Sequence, residues 1–403
     1  MTALQQPAKR VRDIRLDFFR GVCLFIIFIA HVFGNAWAGY IPARFGLSDA
    51  AEIFVFCSGM ASAVAFASVF VRHGFFMGAA RIAHRVWQVY WAHVSVFFVC
   101  TVIMVLVDQH LETGENYIRG LMMEHFFNDN ARQALVGLLT LTYVPPFFDI
   151  LPMYLVILCM VPVVMLLAGF NKWYAIAAVA ITWGVASFGY LDMPRAPWNN
   201  ETWFFNPFSW QLIFFTGFAL MRGWLPAPPF DTRLVIAAVL YLLLCLPLAW
   251  GTLLDMFPVF REIREWLYPV INKTHVGFLR YVHFLALAYV SYVAVGEGGR
   301  RLKGLVVRVV CKVGQQSLGI FLLTLVLSFS GSALLNVIGR TYFTVPLINL
   351  GGMAIMIGVA YMLAWFKSTP WKAPAAAPSS GMAPGSERSE NWSKTPSSSV
   401  PAE

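Results

Sequence analysis

Arg15-Leu16-Asp17-Phe18-Phe19-Arg20-Gly21-Val22-Cys23-Leu24-Phe25-Ile26-Ile27-Phe28-Ile29-Ala30-His31 is the stretch on which the fold turns. From Gly21 to Ala30 it carries no polar side chain, and with Val32-Phe33 beyond His31 it is long enough to cross a bilayer as a helix. Arg20 and His31 are eleven residues apart, about 1100° of helical rotation, so both fall on one face. At 1.5 Å of rise per residue they are about 16 Å apart along the axis. A cation and an imidazole at those depths are costly in lipid, and such residues mark a polar path inside a bundle.

The rest of the chain repeats the apolar signal. Of its 403 residues 59% are hydrophobic and 12% charged, with 16% aromatic. The mean hydropathy is +0.67, which excludes a soluble domain and asks for several spans of about 20 residues. Ten spans can be drawn, over roughly 17–38, 48–71, 86–107, 148–169, 173–190, 207–222, 233–254, 278–296, 309–336 and 345–366. With the N-terminus inside, nineteen Lys and Arg fall in inner segments and nine in outer ones, the asymmetry of the positive-inside rule. The formal charge of +9 is therefore a sidedness signal, and no nucleic-acid partner is expected.

The expected fold class is all-α: a polytopic membrane protein with about ten transmembrane helices in one bundle and both termini cytoplasmic. Residues 1–16 form a basic N-terminus, residues 17–366 the membrane domain, and residues 367–403 a disordered Pro/Ser/Ala-rich cytoplasmic tail. Ala36-Trp37-Ala38 imitates a leader cleavage site, but an uncleaved first span is the expectation. The six cysteines are scattered without a Cys-x-x-Cys pair and read as buried small hydrophobes. No metal site is expected.

Several polar residues recur beside the apolar runs. Asp17 precedes Arg20 by three residues and can orient its guanidinium, or pair with it structurally at the membrane boundary. The second span opens Ser48-Asp49-Ala50-Ala51-Glu52-Ile53-Phe54-Val55-Phe56-Cys57-Ser58-Gly59. Glu52 and Gly59 are about 700° apart and share a face, which allows a polar group beside a close helix approach. Ser58 has no neighbouring base in sequence, so a packing role is favoured over a nucleophile. Arg81 and Arg85, at i and i+4, can hold phosphate oxygens or anchor to lipid headgroups, two readings of equal weight. In the outer loops, Trp198, Trp203, Trp210, Trp266 and Tyr268 suit sugar stacking, but the interfacial aromatic belt is favoured for each. Asp149, Lys273, Arg280 and His283 form a second polar set at the outer mouth, unless the cations are taken by Asp255, Glu262 or Glu265.

The arginine-to-histidine spacing on the first helix, Phe54 to Ser58-Gly59, and the Arg81/Arg85 pair together resemble the membrane acyltransferase-3 superfamily. The likeness is closer to its OpgC branch, the succinyltransferases of osmoregulated periplasmic glucans. It is carried by Arg15 to Gly21, Ser48 to Phe56, Phe148-Asp149-Ile150-Leu151-Pro152-Met153-Tyr154 and Asn206-Pro207-Phe208-Ser209-Trp210-Gln211. Lys273-Thr274 with Gly277, Arg280 and His283-Phe284, and Gly314-Gln315-Gln316-Ser317-Leu318, complete it. Val86-Trp87-Gln88-Val89 stands where that superfamily often carries a proline.

The resemblance implies a bacterial inner-membrane enzyme that takes an acyl group, succinyl above acetyl, from cytoplasmic acyl-CoA as co-substrate and places it on periplasmic glucan. It holds no permanent cofactor, and the sequence sets no oligomeric state. On this reading His31 is the general base, with Arg20, Asp17 and Glu52 around it, and Arg81, Arg85 and Ser58 hold the donor. Asp149, Lys273, Arg280 and His283 receive the glucan or the distal carboxylate of the acyl group. The alternatives are an acetyltransferase of another extracytoplasmic glycan, a transporter, or a non-enzymatic scaffold. Only an enzyme would release free CoA in proportion to acceptor modified.

Overall fold

The computed structural model describes residues 13–111 and 114–371. Lys9, Arg10, Arg12, Glu112, Lys372, Arg388 and Lys394, with the expected N-terminal segment up to residue 12 and the tail beyond residue 371, lie outside the described residues. Contacts divide the chain into two units, Met1–Ala364 and Trp365–Glu403. In the second, the rings of Trp365, Phe366 and Trp371 gather at 5.0–6.2 Å between centroids. Everything below concerns the first.

The described residues form helices and no strand, with one isolated bridge between Pro194 and Thr202. The longer helices are α1 (Ile14–His31), α2 (Ala50–Ser62), α3 (Ser68–His110), α4 (Ile150–Phe170), α5 (Lys172–Ser187) and α6 (Pro207–Arg222). They continue with α7 (Thr232–Cys245), α8 (Phe278–Val295), α9 (Leu305–Gln315), α10 (Ser317–Ile338) and α11 (Thr344–Lys367). A helix lies under each of the ten stretches expected to span. Among the described residues five helical runs are long and apolar enough to cross a membrane; the longest, Ala50–His110, covers two of those stretches and breaks at Gly74 (φ 82°, ψ 174°). Lipid suits the outward faces of these runs and of the shorter apolar helix α7. Val99, Val102 and Leu106 are exposed at helical spacing on α3, as are Ile236, Leu240 and Leu243 on α7. The chain is built as a membrane protein.

Local chemistry sets the ends of α1. The Asp13 carboxylate accepts from Arg15 N–H at 3.0 Å and pairs with the Arg15 guanidinium at 2.7 Å. Burial opposes ionisation of Asp13, but the Arg15 contacts prevail and hold its carboxyl below the usual range. The helix ends at His31, short of the expected residue 38, because Gly34 turns the chain at φ 67° and Asn35 Nδ2 donates to Ile29 O at 3.1 Å. Asn35 also exchanges two hydrogen bonds with Asn349 of α11, at 2.8 and 3.0 Å. His31 is thus the last residue of a clamped helix.

Glycines let the central helices meet at backbone distance. A Cβ on Gly21 would strike Val310 O and one on Gly314 would strike Asp17 O, so α1 and α9 interlock reciprocally. α2 and α6 do the same, with Gly59 against Phe214 O and Gly217 against Phe56 O. The close approach expected at Gly59 is therefore present. The expected span 309–336 is divided between α9 and α10, with Gln316 at φ −106°, ψ 30° between them.

Candidate active site

His31 Nδ1 lies 2.6 Å from Ile27 O. A carbonyl only accepts, so Nδ1 carries the proton and donates it, which leaves the lone pair on Nε2. Phe147, at φ 70°, meets the imidazole edge-on at 5.3 Å between centroids and fixes the other side of the ring. A cavity of about 340 Å³ opens here, walled by His31, Phe147, Asp49, Asp149, Lys273 and Arg195, with Phe204 and Phe205.

Four charged groups hold one wall. α2 starts with a capping box: the Asp49 carboxylate accepts from Ala51 N–H at 2.7 Å, and Glu52 Oε2 accepts from Asp49 N–H at 2.9 Å. Lys273 Nζ donates to Asp49 Oδ2 and sits 5.7 and 5.5 Å from the ring centroids of Phe204 and Phe205. Arg280 donates from Nη1 to Glu52 Oε1 at 2.7 Å and from Nε to Ile271 O at 3.0 Å. His283 shares a 2.8 Å hydrogen bond between Nδ1 and Ser48 Oγ. Asp49, Asp149 and Lys273 line the cavity, whereas Glu52, Arg280 and His283 stand behind its wall and tie α2 to α8.

A smaller cavity, about 30 Å³, is lined by Arg20, Ser58, Arg85 and Tyr154 among others. Ile150 and Phe321 border both cavities, so the two adjoin at these side chains. Arg20 Nε is buried with no hydrogen-bond partner. Arg85 Nη1 donates to Gln88 Oε1 at 3.2 Å. Arg81 is exposed and outside the wall. Asp17 accepts from Gln315 Nε2 of α9 at 3.3 Å. The spacing that puts Arg20 and His31 on one helix face thus places them in two adjoining cavities.

Sequence reasoning passed over four side chains here. Asp49 had a signal, since Asp49-Ala50-Ala51-Glu52 is a capping-box pattern whose first residue sits at the mouth of a helix. Phe147, Phe321 and Arg195 had none, because each reaches the cavity from an element remote in sequence.

Fold and site define a helical membrane protein with a histidine, its Nε2 lone pair free, on the wall of an interior cavity beside a second one lined by Arg20. The chain belongs to the OpgC family: the family model described as OpgC protein matches residues 12–368. Membership implies an acyltransferase acting on glucans. Neither the curated proteins nor the solved structures give a match.

Proposed function

We propose that this protein is a multi-pass inner-membrane O-acyltransferase of the acyltransferase-3 type, moving a succinyl group from cytoplasmic succinyl-CoA to hydroxyls of periplasmic glucan. One observation carries this: His31, its Nε2 left free by the Nδ1 bond to Ile27 O, lines a cavity that shares Ile150 and Phe321 with the one lined by Arg20. In transfer, the acceptor hydroxyl gives its proton to Nε2 as its oxygen bonds to the thioester carbon. The carbon–sulfur bond breaks and the imidazolium returns the proton to the thiolate. Arg20 and Arg85 face the donor's phosphates, and the thioester passes Ile150 and Phe321 on an extended arm. Asp149 offers its carboxylate to acceptor hydroxyls. The excess of Lys and Arg in alternate segments supports placing Arg20 toward the cytoplasm.

The test is mass spectrometry of periplasmic glucans from cells lacking the chain, complemented with wild type or His31→Ala. A succinyl-sized mass restored only by wild type supports the proposal. Unchanged glucans overturn the acceptor assignment, and transfer retained by His31→Ala overturns the base.

A further inference from the structure

Among the described residues two cations, Lys273 and Arg195, line the His31 cavity, and the structure treats them differently. Lys273 is engaged by Asp49 and covered by two phenyl rings. Arg195 is held by Glu201, whose side chain is 54% exposed while that of Arg195 is 21% exposed. That ion pair is 3.2 Å long, and an exposed pair of this kind is worth little, so a ligand can displace Glu201 at small cost. Of the five N–H donors on a guanidinium, Nε serves Val144 O at 3.3 Å and one Nη1 hydrogen serves Glu201. Three remain for a ligand.

The backbone that carries Arg195 is fixed. Its N–H donates to Glu201 O at 2.7 Å beside the Pro194–Thr202 bridge, and its carbonyl accepts from Val144 N–H at 2.8 Å. Trp203, fully buried, donates from Nε1 to Pro194 O at 2.9 Å and locks the loop from below. A preset guanidinium on a rigid loop, weakly partnered and facing a cavity, matches the flat fork of a carboxylate.

We infer that Arg195 binds the terminal carboxylate of a dicarboxylic acyl group and so selects succinyl over a neutral acyl chain. This rests on reading the His31 cavity as the acyl-transfer centre. With Asp49 neutralised by Lys273, Arg195 is the cation left on this wall, among the described residues, for an incoming carboxylate. It stays bound to that carboxylate while the acceptor oxygen–carbon bond forms and the carbon–sulfur bond breaks, and exchanges no proton. It is a specificity-determining residue.

The test uses the full chain in detergent with glucan and an equimolar mixture of succinyl-CoA and butyryl-CoA. Butyryl has the same chain length with a methyl in place of the carboxylate. Mass spectrometry of the glucan reads the ratio of the two products. Wild type is expected to favour succinyl, and Arg195→Gln to lower the ratio about 10- to 100-fold by losing the succinyl product, as for removal of a charged hydrogen bond. Arg195→Lys restores part of it, and Glu201→Gln, which frees the guanidinium, keeps or raises it. A wild-type ratio near one, or an unchanged ratio in Arg195→Gln, overturns the inference alone. So does an equal loss of both products, which would make Arg195 a loop tie. Absence of both products with wild type overturns the transfer centre itself.

Discussion

Arg280 Nη1 stands 2.7 Å from Glu52 Oε1, a pair closed across 228 residues with the Glu52 side chain wholly out of solvent. Glu52 serves twice, since its second oxygen caps α2 through Asp49 N–H. The acid that begins the second helix therefore holds the eighth, and positions Asp49 at the cavity from behind.

Removing either partner leaves the other charge buried and uncompensated. Glu52→Ala is expected to cost about 3–5 kcal/mol, the range for breaking a buried pair. Thermal unfolding in detergent measures it. Glu52→Ala combined with Arg280→Met should be milder than the sum of the two single changes; strict additivity would mean that the pair is not coupled.

Gly59 and Gly217 predict a packing asymmetry among the glycines. Gly59→Ala or Gly217→Ala sets a methyl against Phe214 O or Phe56 O and should destabilise by about 1–3 kcal/mol as α2 and α6 separate. Gly351→Ala, with nothing within 4 Å of its Cβ, should be neutral or stabilising. Equal melting temperatures for all three variants would contradict the interlock.

His31→Ala should leave the melting temperature near that of wild type, since among the described residues the imidazole bonds Ile27 O alone and rests on Phe147. Loss of the base should slow glucan-dependent CoA release by about 10²- to 10⁴-fold. The check is a thiol-release assay with acyl-CoA and glucan. Wild-type release by the variant would remove His31 from the chemistry.

Arg20→Ala tests whether the buried Nε awaits a ligand. Arg20 Nε has no protein partner and gives the fold no hydrogen bond, so its loss should cost little stability. The KM for acyl-CoA should increase by about 10-fold or more, the cost of one charged hydrogen bond. Steady-state kinetics with varied donor decides it, and a large fall in stability with unchanged KM would assign Arg20 to structure.

Much of the frame is legible in the sequence alone. The apolar runs mark the helices because the part of a helix that faces lipid must be apolar, as Val99, Val102 and Leu106 of α3 and Ile236, Leu240 and Leu243 of α7 are. Helical periodicity put Arg20 and His31 on one side of α1, and the same periodicity gave Gly59 its close approach. The site was legible only in part. Arg280 and His283 read as mouth residues beside Lys273, yet they face Glu52 and Ser48 behind the wall. Sequence spacing sets the face of a helix but not which neighbour that face meets.

By itself, the sequence determined a helical membrane chain, its apolar stretches and the one-helix geometry of Arg20 and His31, all of which follow from local rules of rise, rotation and hydropathy. Only the tertiary structure decided that Lys273 belongs to Asp49, that Arg280 belongs to Glu52, and that Arg195 reaches the His31 cavity. Those pairings depend on which helices pack together, and that choice is made by glycine contacts and loop closures between residues far apart in the chain.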